Sequence, residues 1–204
     1  MEIETNNIMS KRVLLFCLLL LGNINTYATS GFVHDSLVAS GSEVEEIHWI
    51  SLEEAMHSMQ KEQRKIYIDM YTDWCGWCKK MDATTFKDPN VVKYMNEKFY
   101  CVRFNAEIKD TLRFLTNVYC KYYWYDPAAK CNTLAAELLH GKMSYPTAVF
   151  LEEGNFMELI FQGGIPVPGY QDVKGMEKIL KYFGENIYKT KSWDEYDKAF
   201  IQYW

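Results

Sequence analysis

The chain is predicted to be an α/β protein with a mixed β-sheet sandwiched by helices. Three observations predict this. A β-branched apolar run at 65–71 leads directly into a helical segment that carries two cysteines; the helix-then-strand order repeats up to residue 105; and a strand, turn, strand signal at 147–161 is followed by a helical pattern at 170–183. With 204 residues, 49% of them apolar, there is enough material for one real core. The net charge of −5 and the absence of any Lys/Arg cluster exclude a nucleic-acid surface. Six Trp, 15 Tyr and 11 Phe indicate an aromatic core with some exposed contact surface.

Taken in order, residues 1–28 read as a signal peptide. Lys11 and Arg12 precede the apolar run Val13 to Leu21, and Thr26-Tyr27-Ala28 places small residues where a signal peptidase reads, so cleavage after Ala28 is expected. Met9 is the better start, because Glu2 and Glu4 are unusual in a basic leader. An uncleaved anchor is the competing reading, but the run is shorter than the ~20 apolar residues that a spanning helix needs. The protein is therefore expected to be exported, to the periplasm, and membrane-associated only if the leader stays. No stable membrane insertion is expected after cleavage. Residues 29–48 form an N-terminal extension and 49–204 the folded domain.

Ser51 with Glu54 has the form of a capping box and opens a helix at 51–63. Strand 65–71 follows, then a helix at 75–83, and Asp88-Pro89-Asn90 starts another that runs to about Phe99. A strand at 100–105 comes next. The segment 110–143 reads as an insertion with helices at 110–122 and 133–140, broken at Asp126-Pro127. Strands at 147–151 and 156–161 are expected to form a hairpin across Glu152-Glu153-Gly154-Asn155, covered by a helix at 170–183. Gly163-Gly164 is expected to allow close packing where the last strand leaves the sheet. A second capping box, Ser192 with Glu195, opens a C-terminal helix at 192–204. Its residues Trp193, Tyr196, Phe200 and Trp204 would lay an aromatic stripe on the domain.

The chemistry-bearing motif is Trp74-Cys75-Gly76-Trp77-Cys78-Lys79-Lys80. A cysteine at the first turn of a helix feels the partial positive charge of unpaired backbone N–H groups, which favours its thiolate. The cysteine one turn on can attack a mixed disulfide formed by the first. Half of a zinc site is the alternative, but Cys101, Cys120, Cys131 and the four His offer no second pair at ligand spacing, so no metal is expected. Removing Cys17 with the leader leaves an odd number of cysteines. Cys101 lies in an apolar strand and reads as buried packing. Cys120 and Cys131 flank an aromatic loop and are a candidate structural disulfide, with two reduced thiols the alternative.

The stretch 66–80, followed by Ser144-Tyr145-Pro146-Thr147 before a hydrophobic strand, resembles the thioredoxin superfamily. The likeness covers roughly 49–183. Within that superfamily it is similar to exported bacterial thioredoxin-like proteins and to the C-terminal domain of the transmembrane thiol-disulfide interchange reductase. The resemblance implies a thioredoxin fold with a helical insertion before the cis-proline strand. It implies Cys75 as the attacking thiol, Cys78 as the resolving thiol, and Asp69, six residues before Cys75, as a buried carboxylate that takes the proton of Cys78. A solvated Asp69 is the alternative. Arg103, on the neighbouring strand, is its candidate counter-charge, a surface Arg being the alternative. A cis bond between Tyr145 and Pro146 would expose backbone to an extended substrate strand. Trp74, Gly76 and Trp77 would complete the substrate contact surface, the alternative for the two tryptophans being core packing. Two departures stand out: Trp77 takes the place of thioredoxin's proline, and 110–143 is longer than the corresponding helix.

The expected function is thiol-disulfide exchange with protein disulfides or thiols, more as a reductase, without a bound cofactor and with an unidentified redox partner for its electrons. A non-catalytic binding or metal-carrying module and a dedicated assembly factor that keeps client thiols reduced remain the alternatives.

Overall fold

The computed structural model describes residues 45–109, 124–126 and 131–204, all within the unit Glu43–Trp204. A two-residue strand β1 (Trp49–Ile50) leads to Ser51, which closes the expected capping box on α1 (Leu52–Lys61): its Oγ accepts from the Glu54 N–H at 3.1 Å and the Glu54 carboxylate accepts from the Ser51 N–H at 2.7 Å. Strand β2 (Lys65–Tyr71) is buried on both faces, and even Lys65 is covered, its ammonium 2.6 Å from Glu153. Helix α2 (Gly76–Ala83) is capped by Cys75. Helix α3 (Pro89–Lys98) starts as the sequence indicates, Asp88 accepting from the N–H groups of Asn90 and Val91 and Pro89 opening the first turn. Then come β3 (Phe99–Asn105), a short antiparallel ladder of β4 (Trp124–Asp126) with β5 (Cys131–Asn132), α4 (Thr133–Leu138) and β6 (Thr147–Leu151). The chain continues through α5 (Phe156–Gln162), β7 (Ile165–Pro168), α6 (Val173–Gly184) and α7 (Trp193–Ala199).

The main sheet has the order β1-β3-β2-β6-β7, with β1 and β2 parallel to β3, and β6 antiparallel to both β2 and β7. Side-chain alternation along β2 sends Ile66, Ile68 and Met70 into a core with α1, α4 and α5. Tyr67 goes to the opposite core, with Met81 of α2, Val91 and Met95 of α3 and Ile179 and Leu180 of α6. A mixed sheet covered on both faces, with a cis bond between Tyr145 and Pro146 before β6, is the thioredoxin fold that the resemblance implies.

Four expectations are corrected. Residues 156–161 are helical, not a strand: Phe156 and Ile160, four apart, are both buried in one core, the spacing of a helix face. The strand that pairs with β6 is therefore β7, whose register sets Val149 opposite Pro166 and Thr147 opposite Pro168. Two prolines are tolerable there because β7 is an edge strand. Gly163 and Gly164 precede this last strand rather than follow it. The close packing expected of them holds at Gly164, where a Cβ would come within 2.8 Å of the Phe150 carbonyl oxygen. The C-terminal helix stops at Ala199 and residues 201–204 have no regular structure; the N–H groups of Tyr203 and Trp204 donate to the buried Glu177 carboxylate instead. The loop-like stretch between Cys120 and Cys131 contains strand β4, which pairs with β5. The helix expected at 110–122 and the leader 1–28 lie outside the described residues.

Candidate functional site

Cys75 and Cys78 are joined by a disulfide with S–S 2.06 Å and Cα atoms 5.3 Å apart. The turn before α2 is closed by the Cys75 N–H donating to the Thr72 carbonyl at 3.1 Å. Cys75 then occupies the N-cap, and its sulfur accepts from the Cys78 N–H at 3.1 Å. A charge on that sulfur would be met by a backbone donor and by the positive end of the helix, the arrangement that favours a thiolate. Both cysteines are almost covered, each 3% exposed.

Aromatic side chains from three segments stand about the pair. Trp74, 66% exposed, lies edge-on to Tyr145 with centroids 5.9 Å apart, and its indole N–H donates to Glu107 at 3.0 Å. Trp77, 56% exposed, packs 5.1 Å from Tyr170, and the Lys80 ammonium sits 4.9 Å from each of those two rings. Both tryptophans are surface groups rather than core. Gly76 between them is exposed with open space about its Cα. Tyr145 is half-buried, its hydroxyl pushed up to about 12 chiefly by desolvation. Pro146 is buried, and its carbonyl accepts from the Gly169 N–H at 2.8 Å.

Asp69 is buried on the face of β2 that α2 covers. Burial pushes its pKa up from 3.8 to about 7; the Arg103 charge works against that shift, and the Asp82 carboxylate adds to it. Arg103 stands opposite Asp69 in the β2–β3 register, its Nε 3.4 Å from Asp69 Oδ2 and its Nη2 2.9 Å from Asp82 Oδ2. The first separation is an ion pair rather than a good hydrogen bond, and the second is both. The guanidinium also lies 4.6 Å from the Tyr71 ring and 5.5 Å from that of Trp49.

The structure thus sets Trp74, Gly76 and Trp77 on the chain about the Cys75–Cys78 disulfide, puts Tyr145, the residue before Pro146, against Trp74, and places Asp69 in the core with Arg103 beside it. Sequence reading missed Asp82, Tyr170 and Glu107. Asp82 carries a local signal, being four residues after Cys78 and so one helical turn away. Tyr170 and Glu107 reach the site only through the fold. Cys101 is buried, its thiol pushed up to about 12 by desolvation, in keeping with inert packing. Cys131 is buried too, but Cys120 lies outside the described residues, and so does the pairing expected between them. Among the described residues no three His, Cys, Asp or Glu converge as a metal site, and no helix is long and apolar enough to cross a membrane.

Sheet order, cysteine pair and cis-proline together define a thioredoxin-like protein with a C-x-x-C disulfide at a helix N-terminus. A family model described as Thioredox_DsbH, protein of unknown function, DUF255, matches residues 34–124. No curated protein matches the chain. Among solved structures it is similar to a thioredoxin-fold protein from Helicobacter pylori, at 15% identity over 67% of this chain and 80% of that one, TM-score 0.48. It is also similar to a DsbH oxidoreductase, at 16% identity over 72% of this chain and 87% of that one, TM-score 0.44. A third likeness is to the reduced C-terminal domain of DsbD from Neisseria meningitidis, at 18% identity over 66% and 93%, TM-score 0.39.

Proposed function

We propose that this chain is an exported thiol-disulfide oxidoreductase that reduces protein disulfides through Cys75 and Cys78, with residues 1–28 removed as a leader. The observation that carries the reading is the disulfide at the N-cap of α2 on the same side of the sheet as a buried Asp69 whose pKa is about 7. In the reduced protein the Cys75 thiolate attacks a client disulfide. A mixed disulfide forms and one client thiolate leaves. Cys78 passes its proton to Asp69 and attacks the Cys75 sulfur, closing the Cys75–Cys78 bond and expelling the second client thiol. The client gains two electrons and the protein loses them, so a separate dithiol donor must reduce the pair for the next turnover. Trp74, Trp77, Tyr145 and Pro146 supply the contact surface for the client segment. The absence of any cation between the cysteines favours a reductant, because a strong oxidant needs its thiolate stabilised further.

The reduction potential of the pair, measured by thiol trapping across glutathione buffers with Cys75→Ser as control, tests this. A value near the thioredoxin figure of about −270 mV is expected. A value near about −120 mV would reverse the direction. No transition that depends on Cys75 would remove the exchange reading and leave a binding module.

A further inference from the structure

A cavity of about 410 Å³ opens beside the cis-proline loop. Ser144 and Thr147, which bracket the Tyr145–Pro146 bond, both line it, so whatever enters lies next to the backbone where a client segment would pass. Its walls are apolar, from Leu139 and Met143 on one side and Pro166 and Pro168 of the edge strand on the other. Among the described residues the titratable side chains that line it are Lys142 and His140, and no described carboxylate lines it. Glu137, one turn earlier on α4, is not part of the lining.

The walls are held in place by several bonds. His140 adopts φ 50° and its Nε2 lies 3.0 Å from the Gly164 carbonyl oxygen, packing the ring over the two glycines that enter β7. The Gly141 N–H donates to the Ala136 carbonyl at 2.8 Å and the Lys142 N–H to the Leu139 carbonyl at 2.9 Å, which fixes the chain where Lys142 leaves α4. The Thr147 hydroxyl donates to the Ser144 carbonyl at 2.8 Å. An apolar pocket with a cationic rim is complementary to a side chain that has an apolar stem and an anionic tip.

Resting on the exchange reading above, we infer that this pocket is a specificity subsite for an acidic side chain, Glu or Asp, carried by the client polypeptide a few residues from its reacting cysteine. The subsite is built from the segment 139–144 that follows α4, from Thr147 at the start of β6 and from β7, none of which belongs to the cysteine motif. It therefore selects among clients without entering the chemistry.

The test separates binding from exchange. Peptides with the reacting cysteine replaced by serine, and with Glu or Lys walked through three positions on either side of it, are titrated by NMR into the full chain carrying Cys75→Ser and Cys78→Ser. At one or two positions the Glu peptide should bind about fivefold tighter than the Lys peptide, the worth of one exposed ion pair, and Lys142→Glu should invert that preference. Chemical-shift changes should centre on Met143, Ser144 and Thr147. Equal binding of Glu and Lys peptides at every position, or a preference that Lys142→Glu leaves unchanged, would overturn the subsite. Reduction of a small aromatic disulfide by the wild-type protein is assayed in parallel. If that fails while the peptide preference inverts, the subsite stands and the exchange reading falls.

Discussion

Replacing Asp69 by Asn should stabilise the oxidised protein at alkaline pH and leave it nearly unchanged in acid. The folded state holds the Asp69 proton with a pKa of about 7, against an ordinary value of 3.8. Between those values the folded protein binds a proton that the unfolded chain has released, so stability falls as pH rises from about 4 to about 7 and is flat beyond. A rise of that size corresponds to about 4 kcal/mol of cost once the group is ionised in both states. The amide removes that cost. It also removes one partner of Arg103, which keeps Asp82 at 2.9 Å, so the net gain at pH 8 should lie between about 2 and 4 kcal/mol. With a urea m-value near 2 kcal/mol/M, the midpoint should rise by about 1–2 M. Urea titrations of the oxidised wild type and variant at pH 4.5 and pH 8 read this directly, other titrating groups being common to both proteins. A difference that does not change with pH, or a variant less stable than wild type at pH 8, would refute the assignment of a buried, high-pKa carboxylate to this position. On the exchange route proposed above, the same variant should lengthen the life of a mixed disulfide with a client, because Cys78 would lose its proton acceptor.

Two other perturbations follow from the contacts at the site and in the sheet. Asp82→Asn removes a charge that raises the Asp69 pKa and leaves Arg103 to pair with Asp69 alone, so NMR titration should place the Asp69 pKa lower than in wild type; an unchanged or higher pKa would contradict the shared-guanidinium geometry. Gly164→Ala should lower the thermal midpoint by roughly 4–8 °C, the equivalent of about 2 kcal/mol of overpacking, because the new methyl meets the Phe150 carbonyl of β6, which has no room to retreat; a midpoint within a degree of wild type would show that the strand can shift.

What the sequence made legible was local. The capping boxes at Ser51 and Ser192 and the Asp88-Pro89 start each satisfy orphan N–H groups within a few residues, so their signal needs no knowledge of the fold. Strands 65–71 and 147–151 are buried on both faces and announce themselves as continuous apolar runs. The run at 156–161 is equally apolar but short. Strand and helix periods cannot be told apart over six residues, and the choice falls to tertiary packing of Phe156 and Ile160. The early end of the last helix has a non-local cause too. Glu177, fully buried on α6, accepts from the backbone of Tyr203 and Trp204, and that draws the tail out of helical register. At the site, the cysteines and Asp69 were legible because their spacing along one chain segment is fixed. Tyr170 and Glu107 were not, because each meets a tryptophan of the motif only after distant loops have been brought together.

The two faces of β2 explain why the buried carboxylate sits where it does. One face carries Ile66, Ile68 and Met70 into a purely apolar core, and a charge there would have no partner. The other carries Tyr67, Asp69 and Tyr71 beneath α2, where Arg103 from β3 and Asp82 from α2 are within reach. Around them the rings of Trp49, Tyr67 and Phe86 meet edge to face or tilted, with centroids 5.2–6.4 Å apart, and Phe150 stacks on Phe183 at 4.0 Å. This aromatic packing does two things at once. It excludes water from Asp69, which raises the pKa to about 7, and it contributes burial energy that offsets the cost of holding a carboxyl group there. Since α2 covers this face and Cys75 and Cys78 lie at its N-cap and first turn, the buried carboxylate is on the side of the strand that faces the helix of the cysteine pair, the side that the proposed proton transfer requires. An ionisable residue placed one position earlier or later along β2 would face the other core.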